Sequence, residues 1–278
     1  MRLKRALPGM PLQRLALVRV LLGLHLILWT AVDIPHLVSL YGSPFFSHGR
    51  VATVVLSLAS RDTVVAVAVT TLVLASVALV VGIGRRGGAL VAFAADSMLL
   101  ELDGAVRSPE LPLVRLLLLV FVLLPVVEPC LWRPTTTTAP SAATRRHLRG
   151  ASLVVWAALA VGMVTAGISK LVGGDDAWLS GDAVGVLIEQ SAWVRPGARD
   201  LLMTWPAPLL AVLGYGALFL EVGAPALVLQ WARWPWWIAS SCMHLCALVL
   251  FSIPQVSMGL LVVHLFLAVD DELLLGSR

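Results

Sequence analysis

Apolar and polar positions alternate along this chain in long blocks, not residue by residue. Eight apolar blocks stand out, over 15–33, 64–84, 87–102, 111–130, 150–171, 206–230, 236–252 and 255–270. A helix needs about 20 apolar residues to cross the roughly 30 Å hydrocarbon core of a bilayer. The blocks therefore predict an all-α protein, a polytopic transmembrane helical bundle of eight helices. The third block is short and holds Asp96 and Glu101. The apolar run 51–60 is too short to span and belongs at the interface or inside the fold.

Composition strengthens this reading. The 278 residues are 59% hydrophobic and 13% charged, against about 25% charged in soluble domains. The net charge of +4 sits in small basic clusters beside apolar blocks, so membrane topology accounts for it and no nucleic-acid partner is implied. The first block runs too long for a signal peptide and lacks a small-residue cleavage site, so it is expected to remain as a helix.

Orientation follows from lysine and arginine placement. With the N-terminus inside, the cytoplasmic stretches hold Arg2, Lys4, Arg5, Arg14, Arg85, Arg86, Arg133, Arg145, Arg146, Arg149, Arg233 and Arg278. The other side holds Arg50, Arg61, Arg107, Arg195 and Arg199. Twelve against five predicts a multi-pass cell-membrane protein with both termini cytoplasmic. Residues 131–149, with Thr135–Thr138, Pro134 and Pro140, form the expected cytoplasmic linker between two four-helix halves. The longest outer loop, 172–205, carries Asp175, Asp176, Trp178, Trp193 and Trp205. Its tryptophans, and the Trp231, Trp234, Trp236, Trp237 group on the opposite side, fit interfacial anchoring.

Ionisable residues inside apolar blocks need partners or a task. Arg19 is close enough to its helix start to snorkel. Asp96 and Arg115 could pair between the third and fourth blocks. Glu221 precedes Pro225, whose ring opens a helical turn beside the carboxylate. His244 lies two residues from both Cys242 and Cys246, so the three do not share a helical face and no metal site is implied. The cysteines fit as small packing residues, and His264 as a packing or capping group. Lys170, in Ala166-Gly167-Ile168-Ser169-Lys170-Leu171, closes the fifth block. It is either a snorkelling anchor or a working group. There is no phosphate loop, nucleophile elbow or His-Glu-x-x-His motif.

Taken in order, several of these pieces resemble one family. They are Leu17-Val18-Arg19-Val20-Leu21-Leu22-Gly23, then Asp33 with Pro35-His36-Leu37, then Leu113-Val114-Arg115-Leu116-Leu117 with Leu124-Pro125. The Lys170 motif follows with Trp178 and Gly181, then Glu221 with Pro225 and the His244 segment. The chain resembles the HTTM superfamily, the membrane domain shared with vitamin K-dependent γ-carboxylase. In the carboxylase the corresponding motif has two adjacent lysines, the second acting as a base on the reduced quinone. Lys170 matches that second lysine, and Ser169 replaces the first. The carboxylase continues into a large non-cytoplasmic domain that handles substrate protein. Without it, carboxylase chemistry would need a separate partner, and carboxylation itself is not implied. Compact bacterial relatives are similar to the membrane subunit of the sporulation-delaying toxin maturation system, which acts with partner proteins on a secreted peptide.

Two functions stay open at this stage. One is a quinone-linked membrane enzyme or enzyme subunit maturing a secreted peptide. Its catalytic residues would be Lys170 as base, with Glu221 and His244 as proton partners, and a reduced quinone as cofactor. The other is a non-catalytic membrane subunit that binds lipid, quinone or peptide and scaffolds a partner protein, with Lys170 paired to Glu221 or Asp176. A transporter is disfavoured, because only Pro225 breaks a helix and no inverted repeat is evident.

Overall fold

The computed structural model of the chain describes residues 11–41, 50–102, 111–124, 141–173, 177–190, 194–225, 230–251 and 254–275. Among them the regular elements are helices, apart from an isolated antiparallel bridge between Val194 and Phe251. In chain order the helices are α1 (Pro11–Tyr41), α2 (Arg50–Leu56), α3 (Arg61–Val81), α4 (Arg85–Leu102), α5 (Leu111–Leu123) and α6 (Ala142–Gly173). They continue as α7 (Ala177–Ser180), α8 (Asp182–Gln190), α9 (Pro196–Leu202), α10 (Ala207–Val222), α11 (Gln230–Leu250) and α12 (Pro254–Leu275). Two of them, α3 and α6, are long and apolar enough to cross a membrane. The pair α9 and α10, bent by 115° at their break, would make a third. Shorter apolar helical stretches lie in α1, α5, α11 and α12.

The basic end of the expected linker is helical. Ser141 accepts a hydrogen bond from the Thr144 backbone N–H at 3.1 Å, satisfying one of the free donors at a helix start. The run Ala142 to Arg149 then opens α6, because alanine and arginine are strong helix formers.

The chain divides into two compact units, residues Met1–Val155 with Leu265–Arg278, and residues Trp156–His264. In the first, α3 packs against α1 and α4, and α4 against α5. Gly23 permits the α1–α3 approach, since a Cβ there would come within 2.7 Å of the Ser76 carbonyl oxygen. Arg19 does not snorkel. It is fully buried, 0% exposed, and its Nη1 donates to the Leu79 carbonyl in the last turn of α3. That end of a helix carries unpaired carbonyls and partial negative charge, which a buried guanidinium neutralises. Gly82 caps α3 with φ +88°, and a Cβ there would sit 3.1 Å from the Arg19 guanidinium. Asp96 and Arg115 meet as a pair: Nε donates to Oδ2 at 2.6 Å and Nη2 to the Asp96 carbonyl at 3.0 Å.

The second unit is organised around α10, on which α7 and α8 lie. A small core of Val184, Ile188 and Leu202, joined by Trp178, Trp205, Leu210 and Leu250, holds these short helices together. Arg195 fastens them to the end of α11, donating its backbone N–H to the Leu250 carbonyl at 3.0 Å and its Nε to the Phe251 carbonyl at 3.1 Å.

Candidate functional site

Lys170 lies in the last turn of α6, where the partial negative charge of the helix end favours a cation. Glu221 lies in the last turn of α10. Pro225 has no N–H to give the Glu221 carbonyl, and α10 stops at Val222 with the Gly223 N–H bonded to the Phe219 carbonyl at 2.9 Å. Gly167 lets the two helices touch, for a Cβ there would reach 3.1 Å from Glu221 Cβ and 2.8 Å from a Val222 methyl. Lys170, three residues further and on the same face of α6, then meets Glu221. Its Nζ forms an ion pair with Oε1.

After Lys170 the chain runs back along α10. The Trp178 ring sits under Lys170, with Nζ 4.8 Å from its centroid, a distance suited to cation–π attraction. The Trp178 carbonyl lies where a Gly214 side chain would begin, 2.5 Å from a Cβ built there. Gly181 turns the chain from α7 into α8 with φ +89°, and a Cβ there would be 2.6 Å from the Ala211 nitrogen. Contacts with α10 thus run from Glu221 to Gly214 to Ala211 as the chain advances. Fourteen residues separate Ala207 from Glu221, which at about 1.5 Å each sets the pair roughly 21 Å from the start of α10. In the structure, α7 and α8 cover the first turns of α10 and the pair lies at the far end of it.

The chain matches no protein-family model, no curated protein and no solved structure.

The pair is covered but not sealed, with the Lys170 side chain 25% exposed and that of Glu221 13% exposed. Glu221 Oε2 is buried and without a hydrogen-bond partner among the described residues. Buried polar atoms of native proteins are mostly bonded, so an open carboxylate oxygen beside an ammonium is a place for a donor. The surroundings are apolar and exposed: Ile168, Leu171 and Val172 on α6, Phe219 and Val222 on α10.

His244 is elsewhere in the second unit. It is buried, 7% exposed, and its ring stands edge-on to His264 with centroids 5.4 Å apart. Its Nε2 has no partner among the described residues, and none of their hydrogen bonds or ring contacts joins it to Lys170 or Glu221. His264 is tied into the helix packing. A carbonyl only accepts, so Nδ1 donates to Leu260 at 2.6 Å, and in the neutral ring Nε2 takes the Ser240 hydroxyl at 2.9 Å. Trp236 stacks on His264 with centroids 5.6 Å apart, and Trp237 Nε1 donates to the His264 carbonyl at 2.9 Å. Trp236 is not an interfacial anchor. It is 6% exposed and donates to the Leu220 carbonyl at 2.9 Å, one residue from Glu221.

The sequence places Gly167 in the Lys170 motif without revealing its contact with α10, and Gly214 is not among the residues it singles out. The signal was there for one: Gly214, Leu218 and Glu221 recur at helical spacing on one face of α10. Asp175, Asp176, Trp193 and Cys130 lie outside the described residues, as do the side chains of Asp33, His36 and Trp231. Cys242 and Cys246 are exposed on α11. Among the described residues no three His, Cys, Asp or Glu side chains gather as a metal site would require.

Proposed function

We propose that this is a multi-pass membrane protein of HTTM type, both termini cytoplasmic, whose Lys170–Glu221 pair handles a proton of a lipid-soluble, hydroxyl-bearing ring. A reduced quinone is the ligand class that fits, and the reaction serves the maturation of a secreted peptide with a partner protein. The observation that carries this reading is the pair itself. Two charges 51 residues apart in sequence are brought together with one carboxylate oxygen left open, and the approach to them is apolar. Polar groups held at such depth are costly and usually mark a working site. The order of sequence motifs and the excess of basic residues in the cytoplasmic stretches support the family and the orientation.

The test uses purified protein in lipid nanodiscs with a short-chain naphthoquinol and its oxidised form. Saturable quenching of tryptophan fluorescence is expected, because Trp178 lies against Lys170. Lys170→Ala and Glu221→Ala should abolish it in variants that remain folded. Equal binding by wild type and both variants would overturn the reading.

A second reading is favoured by the tight seating of Gly167 on Glu221 and Val222. Here the pair is a clamp between α6 and α10 in a non-catalytic scaffold. The same quinol would then show no saturable binding, and removing either charge would change stability alone.

A further inference from the structure

We infer that the groove formed by α2, α3 and α4 seats one acyl chain of a zwitterionic phospholipid, with the lipid phosphate at Arg61 and its ammonium at Glu101. This rests on the reading of the chain as a membrane protein, and is independent of the Lys170–Glu221 pair. The groove has a volume of about 440 Å³, within the range of small-molecule sites. It lies wholly inside the first compact unit. Ala68 on α3 and Ala94 and Ala95 on α4 leave space that longer side chains would fill, and the exposed Val67 and Val91 border it.

The lining is almost entirely hydrocarbon. Thr63 and Thr71 are its two hydroxyl-bearing residues, and the Thr63 hydroxyl is already bonded to that of Ser60 at 2.8 Å. The other lining residues are alanine, valine and methionine. Such walls give water few partners, and apolar cavities stay dry and take apolar guests. Since α3 is long and apolar enough to cross a membrane, a groove along its exposed flank opens to lipid tails.

Length and charge select the lipid. Thr63 and Thr71 are eight residues apart on α3, a span of about 12 Å along the helix. That is close to half of the roughly 30 Å hydrocarbon core, the depth of one leaflet. The groove thus suits a chain that is anchored at one surface and ends near the middle of the membrane. The anchoring end is the one where α2 packs on α3 and α4. Arg61, Val64, Ala68 and Thr71 follow one another at spacings of three and four and share a face of α3. Helical side chains lean toward the helix N-terminus, which carries the Arg61 guanidinium to the mouth of the groove. Its five donors in a planar fork suit phosphate oxygens and leave room for contacts within the protein as well. Asp62, the next residue, points to another face. Glu101 lies three residues beyond the lining Met98, on the same face of α4. A cation and a carboxylate at one mouth match a headgroup that carries both a phosphate and an ammonium, as phosphatidylethanolamine does.

The test starts from the whole protein in nanodiscs of equal parts phosphatidylethanolamine and phosphatidylglycerol. It is then released into mild detergent and weighed intact by native mass spectrometry. Wild type should retain one phosphatidylethanolamine. Ala94→Phe fills the groove from an exposed lining position and should lose the lipid at unchanged helical circular dichroism. Ala66→Phe adds the same ring at an exposed position of α3 that does not line the groove, and should keep it. Arg61→Gln should cut retention about tenfold, the worth of a hydrogen bond to a charged group. A bare wild type, or equal retention by Ala94→Phe and Ala66→Phe, would overturn the site. Preference for phosphatidylglycerol, unchanged retention in Arg61→Gln, or an isoprenoid quinone in place of phospholipid would overturn the assigned occupant. Naphthoquinol binding in Ala94→Phe separates the two proposals. If it persists while no variant retains lipid, only this inference fails. If it is absent from wild type while lipid retention follows expectation, the proposed function fails and the lipid site stands.

Discussion

Removing the charges of Lys170 and Glu221 one at a time and together tests the centre of the structural argument. Their side chains are 25% and 13% exposed, between the surface case, worth about 0–1 kcal/mol, and the buried case, where loss of one partner costs about 3–5 kcal/mol. Two unit charges about 4 Å apart attract by roughly 4 kcal/mol at an effective dielectric constant near 20, before desolvation is subtracted. Each single alanine variant should therefore lose about 2–3 kcal/mol. The double variant should lose clearly less than the sum, with a coupling of about 1–2 kcal/mol. The two losses should be unequal. In Glu221→Ala the lysine remains over Trp178 and, being the more exposed member, can turn toward water. In Lys170→Ala the carboxylate is left in the more covered position, so that variant should be the weaker. The assay is equilibrium unfolding in mixed micelles by titration with sodium dodecyl sulfate, followed by tryptophan fluorescence. Losses that add to within about 0.5 kcal/mol would refute a direct pair, and with it the site built on Gly167 and Trp178.

Other substitutions probe the supports. Gly167→Leu should force α6 away from α10, cost stability by about 1–3 kcal/mol, and erase the Lys170–Glu221 coupling in the same double-variant measurement. Gly82→Ala combines a left-handed φ with crowding of Arg19 and should cost about 1–3 kcal/mol by the same unfolding titration. Asp96→Ala strands the Arg115 guanidinium and should cost about 3 kcal/mol. Asp96→Asn should cost less, because the amide oxygen can still accept from Arg115 Nε, whereas the Arg115 bond to the backbone carbonyl is kept in both variants. Trp236→Phe removes the bond to Leu220 and leaves part of the buried indole volume unfilled, and should cost about 2 kcal/mol, again read by unfolding.

Much of the helix pattern was visible in the order of residues. The eight apolar blocks all carry helix, and the Asp96–Arg115 pair could be named because two opposite charges in neighbouring apolar segments have few other partners. Lys170 and Glu221 stood out for the same reason. What the blocks could not convey was depth and direction. Arg19 looked free to snorkel because its distance from a helix start is readable, whereas the free carbonyl of Leu79 on another helix is not. The tryptophans after residue 230 looked like an interfacial belt, because the Leu220 and His264 carbonyls that two of them bond come from other helices.

The sequence by itself determined helix formation and the identity of the charges that needed partners. Both depend on local composition: apolar runs of sufficient length, and the cost of an ionisable group within them. Only the tertiary structure decided that Lys170 meets the last turn of α10, that Trp178 and Gly181 fold back along that helix, and that His244 turns to His264 instead. Those outcomes hang on where glycines allow backbones to touch, at Gly167, Gly181 and Gly214. Close approach is a relation between two surfaces, and neither segment encodes it alone.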